Sequence, residues 1–391
     1  MNAQELYIID KILGSLIPFQ SLIFAIILFL LSRDNSKSKR ILAYYMFVNS
    51  LYYTYLAFFY SGNFVAIVNV YYLIVPIALL VQPFFYFYIR SLTNPDFRCS
   101  YRQIIHFIPS AIILIMNISL YSFLTKADQI QLLAFENDST NKIQEFFFQL
   151  HTSGYHIIFG IQALVYLFFV SKTIFLHKKY LPKNFSNYEG VNLNWLITLL
   201  TIFIIGSTVQ ELLGNIDQLA FNVNARIYYN LFILFTIAFI GISAIKQKEI
   251  YNYKNKTDSG DIDILEEKYS HSSLNKEVKE ELISKLETYL LIEKPFLKND
   301  LRLDDIATDL NTNRQYLSQV INERYQKNFY TLINDLRIKE VKNLFLNQKH
   351  KQLSIMGVAN TVGFNSKSTF NTLFKKSTGL TPSQFIKENQ L

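Results

Sequence analysis

Residues 354–385 read SIMGVANTVGFNSKSTFNTLFKKSTGLTPSQF, and this stretch decides the fold of the C-terminal part of the chain. Its apolar spacing predicts two short helices joined by a tight turn at Gly363, because glycine readily adopts the left-handed backbone that such turns use. A third helix is predicted to begin at Thr381, where Pro382 suits the first helical position and Gln384 completes a capping box. This pattern is typical of a helix-turn-helix unit, whose second helix enters the major groove of DNA.

A second copy of the pattern precedes the first, in residues 304–322, which read DDIATDLNTNRQYLSQVIN. Ile306 corresponds to Val358 at an offset of 52 residues, and the turn residue Asn311 corresponds to Gly363. Past the turn the offset becomes 53, so the second turn is one residue longer. The sequence therefore predicts two helix-turn-helix units joined by an amphipathic helix, at 304–323 and 354–376.

Each unit carries a polar face on its second helix. In the first unit this face consists of Gln315, Ser318, Gln319 and Asn322, with Arg314 beside it at the helix start. In the second unit it consists of Lys367, Ser368, Asn371 and Lys375, with Thr369 and Thr372 at its edges. Amide and hydroxyl side chains can read base edges, whereas lysine and arginine near helix ends hold phosphate. One such face alone could equally be solvated surface, but two in tandem favour contact with double-stranded DNA.

The net charge of the C-terminal region also favours DNA binding. From residue 312 to the end, twelve lysines and arginines stand against four acidic residues. A basic domain of this kind suits a polyanionic partner.

These residues also carry a family resemblance. Residues 301–391 resemble the C-terminal DNA-binding domain of the arabinose-operon-regulator (AraC/XylS) family, in the pieces LRLDDIATDL, RQYLSQVIN, FYTLINDLRIKEVKNLF and VGFNSKSTFNTLFKKSTGLTPSQF. The resemblance implies seven helices with a linker helix, and two units that read successive major-groove segments. Residue by residue it points to Gln315, Ser318, Gln319, Lys367, Ser368, Thr369 and Thr372. Membrane-anchored members with several N-terminal spans are known among bacteria.

Two positions depart from the family pattern. Asn328 stands where glycine is common after the first recognition helix, and asparagine still tolerates the left-handed backbone that glycine would adopt there. Thr372 stands where the second recognition helix often carries arginine, which weakens the expectation of guanine contact at that position.

The composition of the N-terminal part of the chain predicts membrane-spanning helices. Half of the 391 residues are hydrophobic, 16% are aromatic and only 17% are charged. Seven apolar runs have spanning length, at 12–32, 41–61, 66–89, 104–124, 152–176, 193–214 and 226–246. The first run lacks a basic start and a small-residue cleavage site, so we expect it to remain as a span.

The basic residues of the short loops predict an orientation. The loops after spans one, three and five hold eleven lysines and arginines when Lys172 at the end of span five is included, whereas the opposite loops hold three when Arg226 at the start of span seven is included. Because the basic side faces the cytoplasm, we expect a multi-pass protein of the bacterial inner (cytoplasmic) membrane with its N-terminus outside. An odd number of spans then brings the C-terminal domain to the cytoplasm, where the DNA is.

A group of polar residues near the outer surface is the candidate ligand pocket of the membrane half. It comprises His151, His156, Gln210 and Glu211. Ionisable residues at membrane depth are candidates for function. The alternative is that Glu211 sits at the water interface and that backbone carbonyls satisfy the histidines.

The sequence excludes several kinds of chemistry. Span seven has no lysine between Tyr228 and Ile245, which excludes a retinal Schiff base. Cys99 is the single cysteine, so we expect neither an intramolecular disulfide nor a cysteine-based zinc site. No catalytic motif appears in the spans, and we expect no metal, no cofactor and no enzymatic activity.

The predicted domains follow in order along the chain. They are a seven-helix transmembrane domain (1–246), a polar linker (247–274), a linker helix (275–299) and the DNA-binding domain (300–391). The linker helix has one apolar face, which packs onto the DNA-binding domain or pairs with a second chain; the sequence leaves both open.

The fold class predicted is all-α, a seven-transmembrane-helix bundle followed by a cytoplasmic tandem helix-turn-helix (homeodomain-like) domain. The favoured function is a membrane-anchored, sequence-specific transcriptional regulator that couples a small-molecule or lipid signal to transcription. Its partners are then double-stranded DNA, the lipid bilayer, a second copy in a homodimer and, if it is an activator, RNA polymerase. The alternative is a membrane transporter or enzyme whose helix-turn-helix region binds a partner.

Overall fold

The computed structural model describes residues 2–34, 36–94, 97, 100–133, 145–146, 149–150, 155–189, 191–202, 223–247 and 276–389. Within these ranges the all-α prediction is confirmed, since the only extended pairing there is an isolated bridge between Phe185 and Arg302. The chain divides into two compact units. The first comprises Met1–Phe175 and Leu193–Asn252, and the second comprises Leu176–Asn192 and Tyr253–Leu391.

The first unit is built mainly from long apolar helices. They are α1 (Ala3–Leu31), α2 (Lys37–Tyr60), α3 (Phe64–Ile67), α4 (Ile74–Thr93), α5 (Ile108–Tyr121), α6 (Lys126–Leu133), α7 (Tyr155–Asn184, whose last turns belong to the second unit) and α8 (Val223–Lys246). Residues 194–202 are helical as well, and a 3-10 helix, Tyr101–Phe107, leads into α5.

Five helices among the described residues are long and apolar enough to cross a membrane. They are Gln4–Leu31, Tyr71–Thr93, Tyr101–Tyr121, Ile157–Asn184 and Arg226–Lys246. These correspond to predicted spans one, three, four, five and seven. The second predicted span is helical as α2, but six tyrosines lower its hydropathy. The sixth lies largely outside the described residues, so seven spans stay a prediction.

Contacts between neighbouring helices set their directions. Ser21 Oγ donates to the carbonyl of Met46 at 2.7 Å, and Ser50 Oγ donates to that of Pro18 at 3.0 Å, so α1 and α2 are antiparallel. Helices α2 and α4 are also antiparallel, because Tyr44 contacts Phe84 and Tyr55 contacts Tyr71 in the turn before α4. Helices α4 and α5 are antiparallel by the contacts of Ser110 with Pro76 and of Asn117 with Tyr72. Helices α5 and α7 are antiparallel by the contacts of Tyr155 with Asn117 and of Tyr166 with His106.

The first and last long helices of this unit are parallel instead. Near their N-terminal ends, Arg226 Nη2 lies 2.9 Å from Asp10 Oδ2, and Asn230 Nδ2 donates to Asp10 Oδ1 at 3.0 Å. Further along, a Cβ added to Gly241 would meet the ring of Phe24. Since these contacts advance in the same direction on both helices, α1 and α8 run the same way.

The second unit contains seven α-helices among the described residues. They are α9 (Lys276–Ile292), α10 (Leu303–Asp309), α11 (Arg314–Tyr325), α12 (Phe329–Leu346), α13 (Ile355–Thr361), α14 (Lys367–Thr378) and α15 (Pro382–Glu388). The cap of α15 is confirmed, because Thr381 and Gln384 form the predicted capping box and Pro382 occupies the first turn.

Two apolar cores hold these helices together. The first joins α9 to the first helix-turn-helix unit through Leu282, Leu286, Leu290, Leu303, Ile306, Leu317, Val320, Phe329 and Ile333. The second is built from Ile338, Val341, Phe345, Val358, Val362, Phe364, Phe370 and Phe374. Helix α12 contributes its first half to one core and its second half to the other. The linker helix therefore packs onto the DNA-binding domain, which was one of the two open alternatives.

Candidate nucleic-acid interface

The turn of each helix-turn-helix unit has the predicted left-handed residue. Asn311 has φ 51° and Gly363 has φ 94°. After each turn a polar side chain caps the next helix, Asn313 for α11 and Ser366 for α14, by accepting a backbone N–H bond. The two capped helices begin 53 residues apart, and the helices before them begin 52 residues apart.

Asn328 does not use the left-handed backbone that asparagine tolerates. Its φ is −80°, and its side chain caps α12 by accepting from the N–H of Thr331 at 2.9 Å. An N-cap requires an extended backbone, which excludes the left-handed conformation. Gln326 is left-handed instead, with φ 52°, and its N–H donates to the carbonyl of Asn322 at 3.0 Å, which closes the end of α11.

The polar face of α11 points away from the first core. Arg314, Gln315, Gln319 and Asn322 are exposed and Ser318 is partly buried, whereas Leu317, Val320 and Ile321 are buried on the opposite face. Gln319 Nε2 donates to Glu323 Oε1 at 2.9 Å. Hydrogen bonds from Lys279 and Gln319 lower the pKa of Glu323, so this carboxylate is ionised at neutral pH and holds the Gln319 amide along the helix.

The polar face of α14 is arranged in the same way. Lys367, Ser368, Thr372 and Lys375 are exposed, Thr369 and Asn371 are partly buried, and Phe370 and Phe374 lie in the second core. Thr369 makes one long-range contact: its hydroxyl donates to the carboxylate of Glu189, in residues 176–192. Cations at the first turn, Lys367, and the last, Lys375 and Lys376, flank the hydroxyl and amide groups between them.

A buried arginine that sequence reasoning missed ties α12 to residues 296–298. Arg337 on α12 is 1% exposed, and its guanidinium makes five hydrogen bonds. Nε donates to the carbonyl of Phe296 at 2.7 Å, and Nη2 donates to that of Lys298 at 2.6 Å. Burial lowers the pKa of Arg337 to about 10, so the group stays charged at neutral pH. One signal could have revealed it: Arg337 lies four residues from both Ile333 and Val341, on the apolar stripe.

Sequence reasoning also missed a second element of this region, residues 176–192, which we name the docking segment. The sequence indicates only a basic loop between predicted spans five and six. In the structure Ser186 donates from its N–H and its hydroxyl to the carbonyl of Leu301, at 3.1 and 2.8 Å. Its own carbonyl accepts from Asn334 Nδ2 at 3.0 Å. These partners are more than a hundred residues away in sequence, so no local pattern could signal them.

The predicted membrane pocket cannot be placed. His151, Gln210 and Glu211 lie outside the described residues, as does the side chain of His156. A different polar cluster occurs in the first unit, where the buried Asp10 carboxylate contacts Arg226 and Asn230. In the part of the chain that the structure describes, no three potential ligands of the histidine, cysteine, aspartate and glutamate types group together to hold a metal.

Comparison with known proteins gives matches for the C-terminal part of the chain. The family described as "Helix-turn-helix domain" matches residues 306–388. The Msm operon regulatory protein of Streptococcus mutans is 36% identical over 92 residues, which are 24% of this chain and 32% of that protein. The "Uncharacterized HTH-type transcriptional regulator in cgkA 5'region" of Pseudoalteromonas carrageenovora is 33% identical over 96 residues, 25% of this chain and 54% of that one.

The chain thus spans about a third and about half of the length of these two curated relatives. No solved structure gives a significant match. The family match extends from within α10 to the end of α15, so the second unit of this chain carries a helix-turn-helix domain, and the two relatives are named as an operon regulatory protein and an HTH-type transcriptional regulator.

Proposed function

We propose that this protein is a membrane-anchored, sequence-specific DNA-binding transcriptional regulator, and that its membrane unit couples a signal to transcription. The observation that carries the proposal is the pair of exposed polar faces on α11 and α14, at matching positions of two helix-turn-helix units. The match of residues 306–388 to the helix-turn-helix domain family and the two similar regulators support it.

The side chains of the two faces differ in whether their chemistry suits contacts to DNA bases or to phosphates. Gln315, Gln319 and Asn322 present amides that can bond adenine bidentately. Arg314 begins α11, where a cation beside the backbone N–H groups favours a phosphate. Lys367 begins α14, and a lysine there can bond the edge of guanine. Thr372 is exposed and offers a hydroxyl and a methyl, which can meet a thymine methyl but cannot read guanine bidentately as arginine does.

Substitution of one residue in each face tests this division. We expect Gln319→Ala and Lys367→Ala to weaken binding of the full chain to its target DNA by about 1–3 kcal/mol each if they read bases. Binding to unrelated DNA should change much less. The measurement is titration of the protein in lipid nanodiscs with target and scrambled duplexes. Lys351→Ala, an exposed lysine outside both faces, is the matched control for the loss of one charge.

The salt dependence of the same binding decides between the two classes of function. Specific retention of genomic fragments that falls steeply with rising salt is expected for a regulator, because bound cations are released from phosphate contacts. Equal losses on all sequences would show that Gln319 and Lys367 touch only the backbone. If no DNA is bound at any salt, the proposal fails, and a transporter or enzyme with a partner-binding appendage becomes the better account.

Helix directions support an odd number of spans. The helices α1, α2, α4, α5 and α7 alternate in direction, and α8 runs parallel to both α1 and α7. If α2 crosses the membrane, as its 24 residues allow, one further crossing between α7 and α8 completes seven. Residues 194–202, helical and in that interval, are the start of the sixth predicted span. An odd number separates the two ends of the chain across the membrane, which agrees with the loop charges.

Cysteine labelling tests this topology. In a Cys99→Ser background, Val65→Cys should react with a membrane-impermeant maleimide on intact spheroplasts, because the loop after span two is expected outside. Lys37→Cys, expected in the cytoplasm, should react only after permeabilisation. Val65 is 71% exposed and Lys37 is also exposed, so burial does not separate the two sites. The opposite pattern would place the DNA-binding domain outside and contradict the proposal.

The signal must bind two states of the membrane unit unequally in order to change DNA binding. A second copy held beside the first in the membrane would raise the effective concentration of the DNA-binding domain without any new contact to DNA. Candidates for the signal site are the predicted residues His151, His156, Gln210 and Glu211. RNA polymerase becomes a further partner if the protein activates transcription.

A further inference from the structure

We propose that the docking segment, residues 176–192, competes with DNA for the two recognition helices and lowers the affinity of the domain until it is released. The inference rests on the proposed function and adds its regulation. The segment belongs to the second unit although the sequence places it between predicted spans five and six. Its contacts fall into an anchor in the middle and one contact at each end.

The anchor makes its contacts with residues that belong to neither polar face. Phe185 pairs with Arg302 in the isolated bridge, and the Arg302 guanidinium lies 5.3 Å from the centre of the Phe185 ring. The hydroxyl of the next residue, Ser186, accepts from Arg337 Nη2 at 3.1 Å, and its carbonyl accepts from Nη1 at 3.3 Å. Phe185 is 5% exposed and Ser186 1%. The middle of the segment is therefore part of the interior of the domain.

The first end contacts the start of α11. Arg314 Nη1 donates to the hydroxyl of Tyr180 at 2.9 Å, and the guanidinium lies 5.6 Å from the centre of the Tyr180 ring. Arg314 is the first residue of the helix and a predicted phosphate contact. An acidic neighbour, Asp304, has its Oδ1 atom 3.9 Å from Arg314 Nε. A phosphate that takes this guanidinium must pull it away from the tyrosine.

The second end contacts α14. The carboxylate of Glu189 accepts a hydrogen bond from the hydroxyl of Thr369, which is a predicted base contact. The adjacent residue, Tyr188, packs on Tyr330 with ring centres 4.8 Å apart, which positions this part of the segment. Burial, followed by the neighbouring Tyr188, raises the pKa of Tyr330 to about 12, so the Tyr330 ring is uncharged at neutral pH.

The negative charge of Glu189, which contacts Thr369, is unfavourable for DNA binding. Glu189 is the only acidic residue of the segment, which otherwise carries three lysines. Its carboxylate stands at a residue that must face the polyanion, where like charges repel. DNA binding therefore requires Glu189 to leave Thr369, and the fraction of protein in which it has left scales the apparent affinity.

The position of the segment in the chain connects its competition with DNA to the predicted membrane-spanning helices. Its two ends continue directly into predicted spans five and six. A signal that changes the spacing of these spans would shift the balance between the docked and released segment. In this account the signal raises DNA affinity without touching any residue of either polar face.

Removal of the Glu189 carboxylate tests the competition. With the full chain in nanodiscs, Glu189→Ala should tighten binding to the target duplex about fivefold, which corresponds to the loss of one charge-assisted hydrogen bond to a partly exposed partner. Tyr180→Phe combined with Glu189→Ala should tighten it further. Glu280→Ala is the control: Glu280 is exposed on α9, and its removal raises the net charge by the same amount.

Three outcomes separate the possible failures. If Glu189→Ala binds no more tightly than Glu280→Ala, or more weakly, the competition is overturned while the proposed function stands. If the wild-type chain binds no DNA, both fall together. Hydrogen exchange of the wild-type protein gives a readout that needs no variant: the amides of residues 187–192 should exchange faster when the target duplex is added. Unchanged or slower exchange there would also overturn the proposal.

Discussion

Replacing Gly363 by alanine is expected to lower the free energy of unfolding of the C-terminal unit by about 3 kcal/mol. Gly363 has φ 94°, a conformation that costs any residue with a side chain about 1–2 kcal/mol. An added Cβ would also lie 2.8 Å from the carbonyl oxygen of Leu297 and 2.9 Å from Arg337 Nε. Neither neighbour can move freely, because one is backbone and the other is a buried guanidinium.

Gly379 supplies the matched control for this substitution. Its φ is 81°, but a Cβ there would meet nothing within 4 Å. Gly379→Ala should therefore cost only the conformational part, about 1 kcal/mol. Pulse proteolysis of the full chain in nanodiscs across a urea series measures both variants. Equal midpoints for the two would show that the crowding at Gly363 contributes nothing.

Replacing Arg337 by methionine is expected to cost still more, about 3–5 kcal/mol of the free energy of unfolding. Methionine fills much of the volume but leaves the carbonyls of Phe296 and Lys298 without their guanidinium donors. Buried acceptors that lose their partners carry the full desolvation penalty. Arg337→Lys should recover only part of the loss, since one ammonium group cannot reach acceptors on both sides of the planar fork.

An exposed arginine gives the comparison for Arg337→Met. Arg324 on α11 donates from Nε to Glu287 at 3.0 Å, and its side chain is 53% exposed. Because water replaces the partner of an exposed ion pair, Arg324→Met should cost less than about 1 kcal/mol. The same urea series measures both. A loss at Arg337 no larger than at Arg324 would mean that the buried hydrogen bonds of Arg337 do not stabilise the domain.

The local features of the C-terminal domain could be predicted because their causes are local. The left-handed residues Asn311 and Gly363 and the capping box at Thr381 each depend on a few neighbouring residues. The conformation of Asn328 has a local cause too. Asparagine favours both the left-handed backbone and the N-cap position, and Asn328 is the N-cap of α12.

The features that could not be predicted depend on distant contacts. Ser186 and Arg337 are 151 residues apart, and nothing in the sequence of the loop between predicted spans five and six indicates that it enters the C-terminal domain. The buried Asp10, which contacts Arg226 across 216 residues, was missed for the same reason. The second predicted span is not among the five helices apolar enough to cross a membrane for a different reason, because its six tyrosines lower the hydropathy of α2.

The most direct test of the central claim is a hydroxyl-radical footprint of the full-length protein on its target duplex. We expect two separate stretches of protected DNA backbone, because the two helix-turn-helix units place one helix each in successive major-groove segments. Gln319→Ala should weaken protection first in one segment, and Lys367→Ala first in the other. Protection of a single segment that both substitutions weaken equally, or no protection at all, would contradict the account.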